Sequence, residues 1–494
     1  MFKKFFGGLL TAAVFFSSSG VEAVALTVDE AIALALRNNR AIEQSEADRE
    51  SARWALSEVR RNSGLMLTWS ASLSRIGGRY YNPQRENHYQ IRYLADEGKN
   101  VDAQGNKINP KFFPSYMSDM VNNFALRMQV YSGGRQENYR EAARYGLNAA
   151  DMTLENVRQT VKYRTATAYY QVLARAAYVK VQQEAVRLLE EHLRNVEIQY
   201  EVGVVAKSDM LATNVQLANV QKALNSAQGD YLTAVAQLNN LMGVAVDTEV
   251  ELSDSTDFFS YHLTEAECID YAFKNRPDGV AAQYLAKRAT AAKNAAKAGY
   301  RPSVAAVVQG NFSGEGNFTA EHYRERWSVG LEIQWNIFDN GITSAQVEQA
   351  KAAERKAESQ VRQLLETIEL EVHAAYIALR TAEKNIETTS AAVSKAEEEF
   401  AIAQIRYIEG VDTNLNVMNA QEKVVETRNN FYSAVYDYNT SRAQLEKAMG
   451  VPVVTDVGRY VEAERGGQSS KHSLEAAQVV CRDISGVEEP FARR

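Results

Sequence analysis

Two cysteines, Cys268 and Cys481, are all that the 494 residues contain. They are too few and too far apart for a disulfide framework or a CxxC metal site. The six histidines form no HxxxH or HExxH pattern, so the common helical metal signatures are missing as well. No nucleophile–base constellation stands out, which leaves an enzyme without support; neither a metal nor a cofactor is expected. A net charge of −7 argues against nucleic acid as a partner. One apolar stretch stands near the start, in "MFKKFFGGLLTAAVFFSSSGVEAVA", residues 1–25. Lys3 and Lys4 precede an apolar core from Phe5 to Phe16, and the small residues Ala23 and Ala25 offer cleavage positions. This is the pattern of a secretory signal peptide, with a core too short to span a bilayer. No cysteine lies near the cleavage positions, which excludes lipid attachment there. Past it, no apolar run approaches the ~20 residues a membrane helix needs.

Proline is scarce too, and its distribution matters more than its number. None falls between Ser115 and Arg276 or between Ser303 and Val451. Proline breaks helix interiors, so long helices belong in these gaps. Gln136–Tyr200 is rich in Ala, Glu, Gln, Arg and Leu, with Gly146 its only glycine; Ile342–Tyr407 has none. At 1.5 Å per residue each would extend on the order of 100 Å. Apolar residues such as Val361, Leu364, Leu365, Ile368, Val372, Ala375 and Leu379 recur at three and four, as coiled-coil packing requires. Each long helix ends at a glycine, Gly203 or Gly410, suited to the left-handed turn that closes a helix. A shorter helix follows, from about Ser208 to Met242 and from about Thr413 to Met449, with Ser208 or Asp209 and Thr413 or Asn414 as caps.

The two halves are copies. Tyr200, Gly203, Val204, Asp230, Tyr231, Gln237, Leu238, Met242 and Gly243 each recur 207 positions later. "LTVDEAIALALRNN" from Leu26 resembles "LTEAECIDYAFKNR" from Leu263, and Thr27–Glu30 and Thr264–Glu267 have capping-box spacing. A tandem duplication follows, with a first repeat over 26–244, a second over 245–451 and a polar tail, expected to be disordered, over 452–494.

Two strands are expected in each copy, about 65–74 and 121–131, then about 303–313 and 327–338. Trp327, Val329, Leu331, Ile333, Trp335 and Ile337 alternate with Ser328, Gly330, Glu332, Gln334 and Asn336. In the first copy Leu65, Leu67, Trp69, Leu73, Phe124, Leu126, Met128 and Val130 make the apolar face, with Arg127 and Gln129 on the polar one. A half-buried sheet in a soluble sandwich shows the same alternation. Three features favour a membrane barrel instead. The strands have the length of tilted membrane strands, their polar faces carry charge as a wet lumen would, and Trp69, Trp327 and Trp335 lie as in interfacial girdles. Four strands cannot close a barrel and an open edge is not viable in lipid, so several chains must share one.

With its "LTxxEA"-like openings, the strand "VGLEIQWNIFDNG" entering a glycine-free helix, and paired "YxxGV" turns leading to "QLxxxMGV", the chain resembles the TolC-like outer-membrane efflux and secretion channels over about Leu26–Val451. The resemblance implies a mainly α protein with membrane β structure. Duplicated helical hairpins, about 136–242 and 342–449, would form an α-barrel, and four strands per chain would contribute to a shared, trimeric, twelve-stranded β-barrel. It further implies a homotrimer in the outer membrane of a Gram-negative bacterium, with a long periplasmic part. Such a trimer is the passive exit duct of a tripartite efflux pump or a type I secretion system. A periplasmic adaptor and an inner-membrane efflux pump or ABC-type secretion transporter would open it at its tips.

By the same resemblance Tyr407 matches a position that latches the mobile C-terminal hairpin, with Asp209 its hydrogen-bond acceptor. Tyr200, Gly203, Val204, Gly410 and Val411 complete the tips. Asn416 and Asn419 stand where family members often carry aspartates, and Asp412 stands where a basic latch residue is usual, which weakens a cation-binding entrance there. Asp and Asn are also common at turns and caps without such roles. The polar loop over 81–116 is expected outside the cell, above the first strand pair. A surface coiled-coil adhesin or scaffold with an anchoring barrel is the alternative; strands placed twice between helical units fit it less well.

Overall fold

The computed structural model describes residues 26–77, 116–253, 261–315 and 323–454. The expected signal peptide, the 81–116 loop up to residue 115, the tail beyond 454 and Cys481 lie outside the described residues. Two compact units are present, and each takes in parts of both sequence copies. The first holds the described residues up to Arg49, from Ala150 to Ala282 and from Val361 on; the second holds Glu50–Ala149 and Gln283–Gln360. No helix among the described residues is long and apolar enough to cross a membrane.

The helices are α1 (Val28–Asn38), α2 (Arg40–Arg61), α3 (Arg135–Glu201), α4 (Lys207–Met242), α5 (Glu265–Asn275), α6 (Pro277–Lys297), α7 (Ile342–Ile408) and α8 (Asn414–Met449). The long pair, α3 and α7, each run for 67 residues, within a residue or so of the limits that glycine and proline imply. Both expected capping boxes form: Thr27 and Glu30 open α1, and Thr264 and Glu267 open α5. Hydrogen bonds from these threonines hold both glutamate carboxyls below their usual range.

In the first unit each returning helix ends against the short helix that opens its copy. Asn38 and Asn39 donate to the carbonyls of Met242 and Leu241 at 3.3 and 3.0 Å. In the second copy Arg276 does this work, donating to the Ala448 carbonyl at 3.4 Å while paired with Asp278 and Glu371. Amide and guanidinium satisfy the same class of orphan carbonyl at a helix C-terminus. The cores match. Ala31, Tyr169, Val172, Leu238 and Met242 form one, and Cys268, Ala272, Val372, Tyr438, Leu445 and Met449 form the other. Cys268 is a free thiol buried in that second core. The start of the expected tail is not loose: the amides of Val453 and Val454 donate to buried Glu155 at 2.7 and 3.2 Å.

The second unit carries a four-stranded antiparallel sheet in the order β1 (Leu65–Gly77), β2 (Tyr116–Tyr131), β3 (Ser303–Glu315), β4 (Tyr323–Gln334). Its register aligns one apolar face across all four strands. Leu67, Leu126, Val308 and Val329 form one row, and Trp69, Phe124, Gly310 and Trp327 the next. Trp69 stacks on Phe124, and Phe124 meets Phe312 edge-on.

Three expectations need correcting here. The strands reach further at the loop ends than alternation implied, β2 beginning at Tyr116. β4 is shifted, starting at Tyr323 and ending at Gln334, so Trp335 lies beyond the strand, its indole N–H donating to the Tyr300 carbonyl at 3.2 Å. Gln334 pairs with Ser303, and the next partner on β3 would be Pro302, which has no N–H to give. Gln129 sits at a bulge and spends its amide on the carbonyls of Tyr131 and Val304.

Gly450 ends α8 with φ 74°, and a Cβ there would stand 2.7 Å from the Arg276 Cα. Gly229, inside α4, has open space around its Cβ position. Gly450→Ala should therefore destabilise the protein by about 1–3 kcal/mol, and Gly229→Ala should stabilise it by roughly 0.5–1 kcal/mol. Denaturant titration of both variants checks the opposite signs; equal effects would count against the docked helix end.

Candidate functional site

Both hairpin turns, in the first unit, close with the same backbone arrangement. Val204 N–H donates to Gln199 and Gly203 N–H to Tyr200; Val411 N–H donates to Arg406 and Gly410 N–H to Tyr407. This is a Schellman closure with glycine in the left-handed region, at φ 80° and 71°. The next helix is capped differently in each. Thr413 accepts from Asn416 N–H, as expected, but the first copy has Ala206 at the cap, with neither Ser208 nor Asp209 capping.

The duplicated tyrosines have separate fates. Tyr200 is 39% exposed, whereas Tyr407 is 7% exposed and packs with Val196, Ala403, Val417 and Ala420. The hydrogen bond expected from Tyr407 to Asp209 is not made: the Tyr407 hydroxyl has no partner among the described residues. Burial, reinforced by the Asp209 charge, raises its pKa. The Tyr407 ring packs tilted against His192, with centroids 5.3 Å apart and the planes at 58°.

The polar centre of the tip lies one helix over. Asn414 donates to the Asp209 carbonyl at 3.1 Å and to Thr213 Oγ1 at 2.9 Å. Its Oδ1 therefore faces His192 Nε2, at 2.6 Å, as acceptor, and Nε2 carries the proton. Gln421 donates to the Ala185 carbonyl at 2.8 Å. His192, Thr213, Asn414 and Gln421 are all buried; sequence reading offers only Asn414, and only as a helix cap. Their one signal is a polar residue at an apolar-spaced position of a long helix, which many surface positions share.

Asp412, Asn416 and Asn419 come together along an open groove of about 580 Å³ that also includes Glu399, Arg406 and Glu426. Asp412 accepts from the Asn416 amide and the Thr413 N–H, and these bonds hold its carboxyl below the ordinary aspartate range. Asn416 is thus tied to a carboxylate. Val204 and Val411 project from the turns, 70% and 68% exposed. In the second unit Arg127 and Glu332 pair at 2.7 Å across β3 on the polar face, while Trp69 and Trp327 stand 62% and 79% exposed on the other.

Burial places the His192 pKa below its ordinary value of 6.5, the Asn414 contact working the other way. The unfolded chain then takes up this proton first as pH falls. The contribution of neutral His192 to tip stability is complete above pH 6.5 and is lost as pH drops through the lower folded value. Hydrogen exchange of the tip amides, corrected for intrinsic rate, should accelerate between about pH 7 and pH 5, and His192→Asn should flatten that response. Equal pH dependence in both proteins would refute the assignment.

The profile of the outer membrane efflux protein family matches residues 31–244 and 268–451. The outer membrane protein TolC of Escherichia coli is 23% identical over 439 residues, 84% of this chain and 80% of TolC. The antibiotic efflux pump outer membrane protein ArpC of Pseudomonas putida is 23% identical over 286 residues; the match takes in 58% of this chain and spans 59% of ArpC. Among solved structures, the Campylobacter jejuni CmeC outer membrane channel shares the fold, with a TM-score of 0.72 over 90% of both chains at 17% identity. The likeness drawn from the paired "YxxGV" turns is upheld, and the chain belongs to the outer membrane efflux protein family.

Proposed function

We propose that this chain is one protomer of a homotrimeric outer-membrane duct, the passive exit of a tripartite efflux pump or type I secretion system. The observation that carries the reading is the sheet. Its apolar face is exposed, and β1 and β4 are each paired on one side only among the described residues. In hydrocarbon every unpaired peptide group costs several kcal/mol, so such a sheet is viable only when other copies complete it into a closed barrel. With four strands per chain, three copies make the twelve strands that the family resemblance implies. Trp69 and Trp327 would then face lipid, and Arg127 with Glu332 would face the lumen.

Helices α3, α4, α7 and α8 form the periplasmic tube on this reading, and the turns at Gly203 and Gly410 its inner mouth. The exposed Val204 and Val411 offer apolar contacts to a periplasmic adaptor, which couples the duct to an inner-membrane pump or ABC-type transporter. The name of ArpC speaks of antibiotic efflux; small toxic molecules are the cargo class proposed here. The duct needs no catalytic group, since the energy enters at the inner membrane.

Electron microscopy of the detergent-purified protein should show a three-fold particle with a barrel and a hollow tube on the order of 100 Å long. A monomer or a solid rod would overturn the duct. In planar bilayers, Asn416→Asp with Asn419→Asp should raise cation selectivity, because acidic rings favour cations. Unchanged selectivity would remove these positions from the constriction.

A further inference from the structure

In the first unit, α1, α3 and the last turns of α8 enclose a cleft of about 210 Å³. Gln159 of α3 lines it while only 3% exposed, and its amide nitrogen has no hydrogen-bond partner among the described residues. A buried donor without an acceptor is unfavourable, and leucine would fill the same place without that cost.

Three half-buried cations also line the cleft: Lys162, Arg442 and Lys447. Carboxylates do not match them. Glu446 lies between Lys162 and Arg442, at 3.4 and 3.5 Å, outside the about 2.7–2.9 Å of a tight charged hydrogen bond. Lys447 sits over the Tyr163 ring, 5.4 Å from its centre, with no carboxylate partner among the described residues. The other acid on the cleft, Asp29, is exposed in the first turn of α1. The lining is short of one negative group.

The helical plan does not impose this set. At the matching positions of the other copy, 207 residues away, Gln159, Lys162 and Tyr163 become Glu366, Glu369 and Leu370. Arg442 and Lys447 become Val235 and Asn240. Helices of the same length therefore form with acids, amides and apolar residues at these places. The lining also includes the apolar Ile32, Ala166 and Val451. An apolar cavity of about 150 Å³ holds benzene, so this cleft has room for one ring and a carboxylate.

We propose that the cleft binds a single-ring aromatic carboxylate, with Gln159, Lys162 and Lys447 taking the carboxylate and Ile32, Ala166 and Val451 taking the ring. The bound acid ties the opening of the first copy to the end of the second, because α1 and α3 come from one and α8 from the other. The site stands whether or not the chain forms a duct.

Benzoate is the probe, applied to the detergent-purified full chain by equilibrium dialysis with the uptake of empty micelles subtracted. It should bind saturably and raise the thermal midpoint. It should also bind at least about tenfold more tightly than benzamide, which keeps the ring, or acetate, which keeps the charge. No saturable binding of benzoate, or equal binding of benzamide or acetate, overturns the proposal. Gln159→Leu should hold or raise the midpoint without ligand and lose at least about tenfold in benzoate affinity, the size of one hydrogen bond to a charged group. Lys447→Met, which breaks no ion pair among the described residues, should lose affinity likewise and decides the matter if the leucine variant misfolds. Unchanged benzoate affinity in either variant overturns the site.

Discussion

A helix of 67 residues exists only if every internal N–H finds its carbonyl four residues back, without interruption. That constraint removes proline from α3 and α7 and all but one glycine, and it has consequences elsewhere. Where breakers are forbidden over such a length, every change of direction is concentrated at the ends. Gly203 and Gly410 make the turns, and Gly243 and Gly450 make the stops, all with positive φ. The stops are also contact points, since Asn38 and Arg276 approach them too closely for any side chain. The long helices therefore dictate both the turns and the docking of the short helices α1 and α5.

The duplication shows how one backbone plan tolerates different chemistry. Asn39 and Arg276 fill corresponding places and both satisfy carbonyls at the end of a returning helix. Arg276 brings a charge into a buried place, and Asp278 and Glu371 neutralise it. At the tips the divergence goes further. Tyr200 is open to solvent and Tyr407 is buried, while a threonine caps one returning helix and an alanine begins the other. The two hairpins are thus chemically distinct although their turns are the same.

The sheet obeys a separate rule. Rows such as Leu67–Leu126–Val308–Val329 leave its apolar face with no covering layer among the described residues. In water that face would be a liability, whereas in lipid it needs no cover, and the demand passes to the edges. On the reading proposed above, completing those edges with further copies is a requirement of backbone hydrogen bonding rather than an addition to a finished protomer.

Much of this was legible from local pattern. Helix length follows from where proline and glycine are absent, the capping boxes from a three-residue spacing, the turns from two glycines, and the sheet faces from alternation of period two. These signals act within a few residues of chain, so sequence alone carries them. The expected run of the last strand to 338 stops instead at Gln334, because the position facing the next residue is Pro302, just before β3. The contacts among His192, Asn414, Thr213 and Gln421 were not legible at all. Each is an ordinary polar residue in its own helix, and it acquires meaning only beside a partner about 200 positions away. Lateral packing decides which polar groups lose water and must find one another. Sequence determined the elements and where they turn; tertiary structure decided which of their polar side chains are bound to each other, because desolvation is a property of neighbours in space.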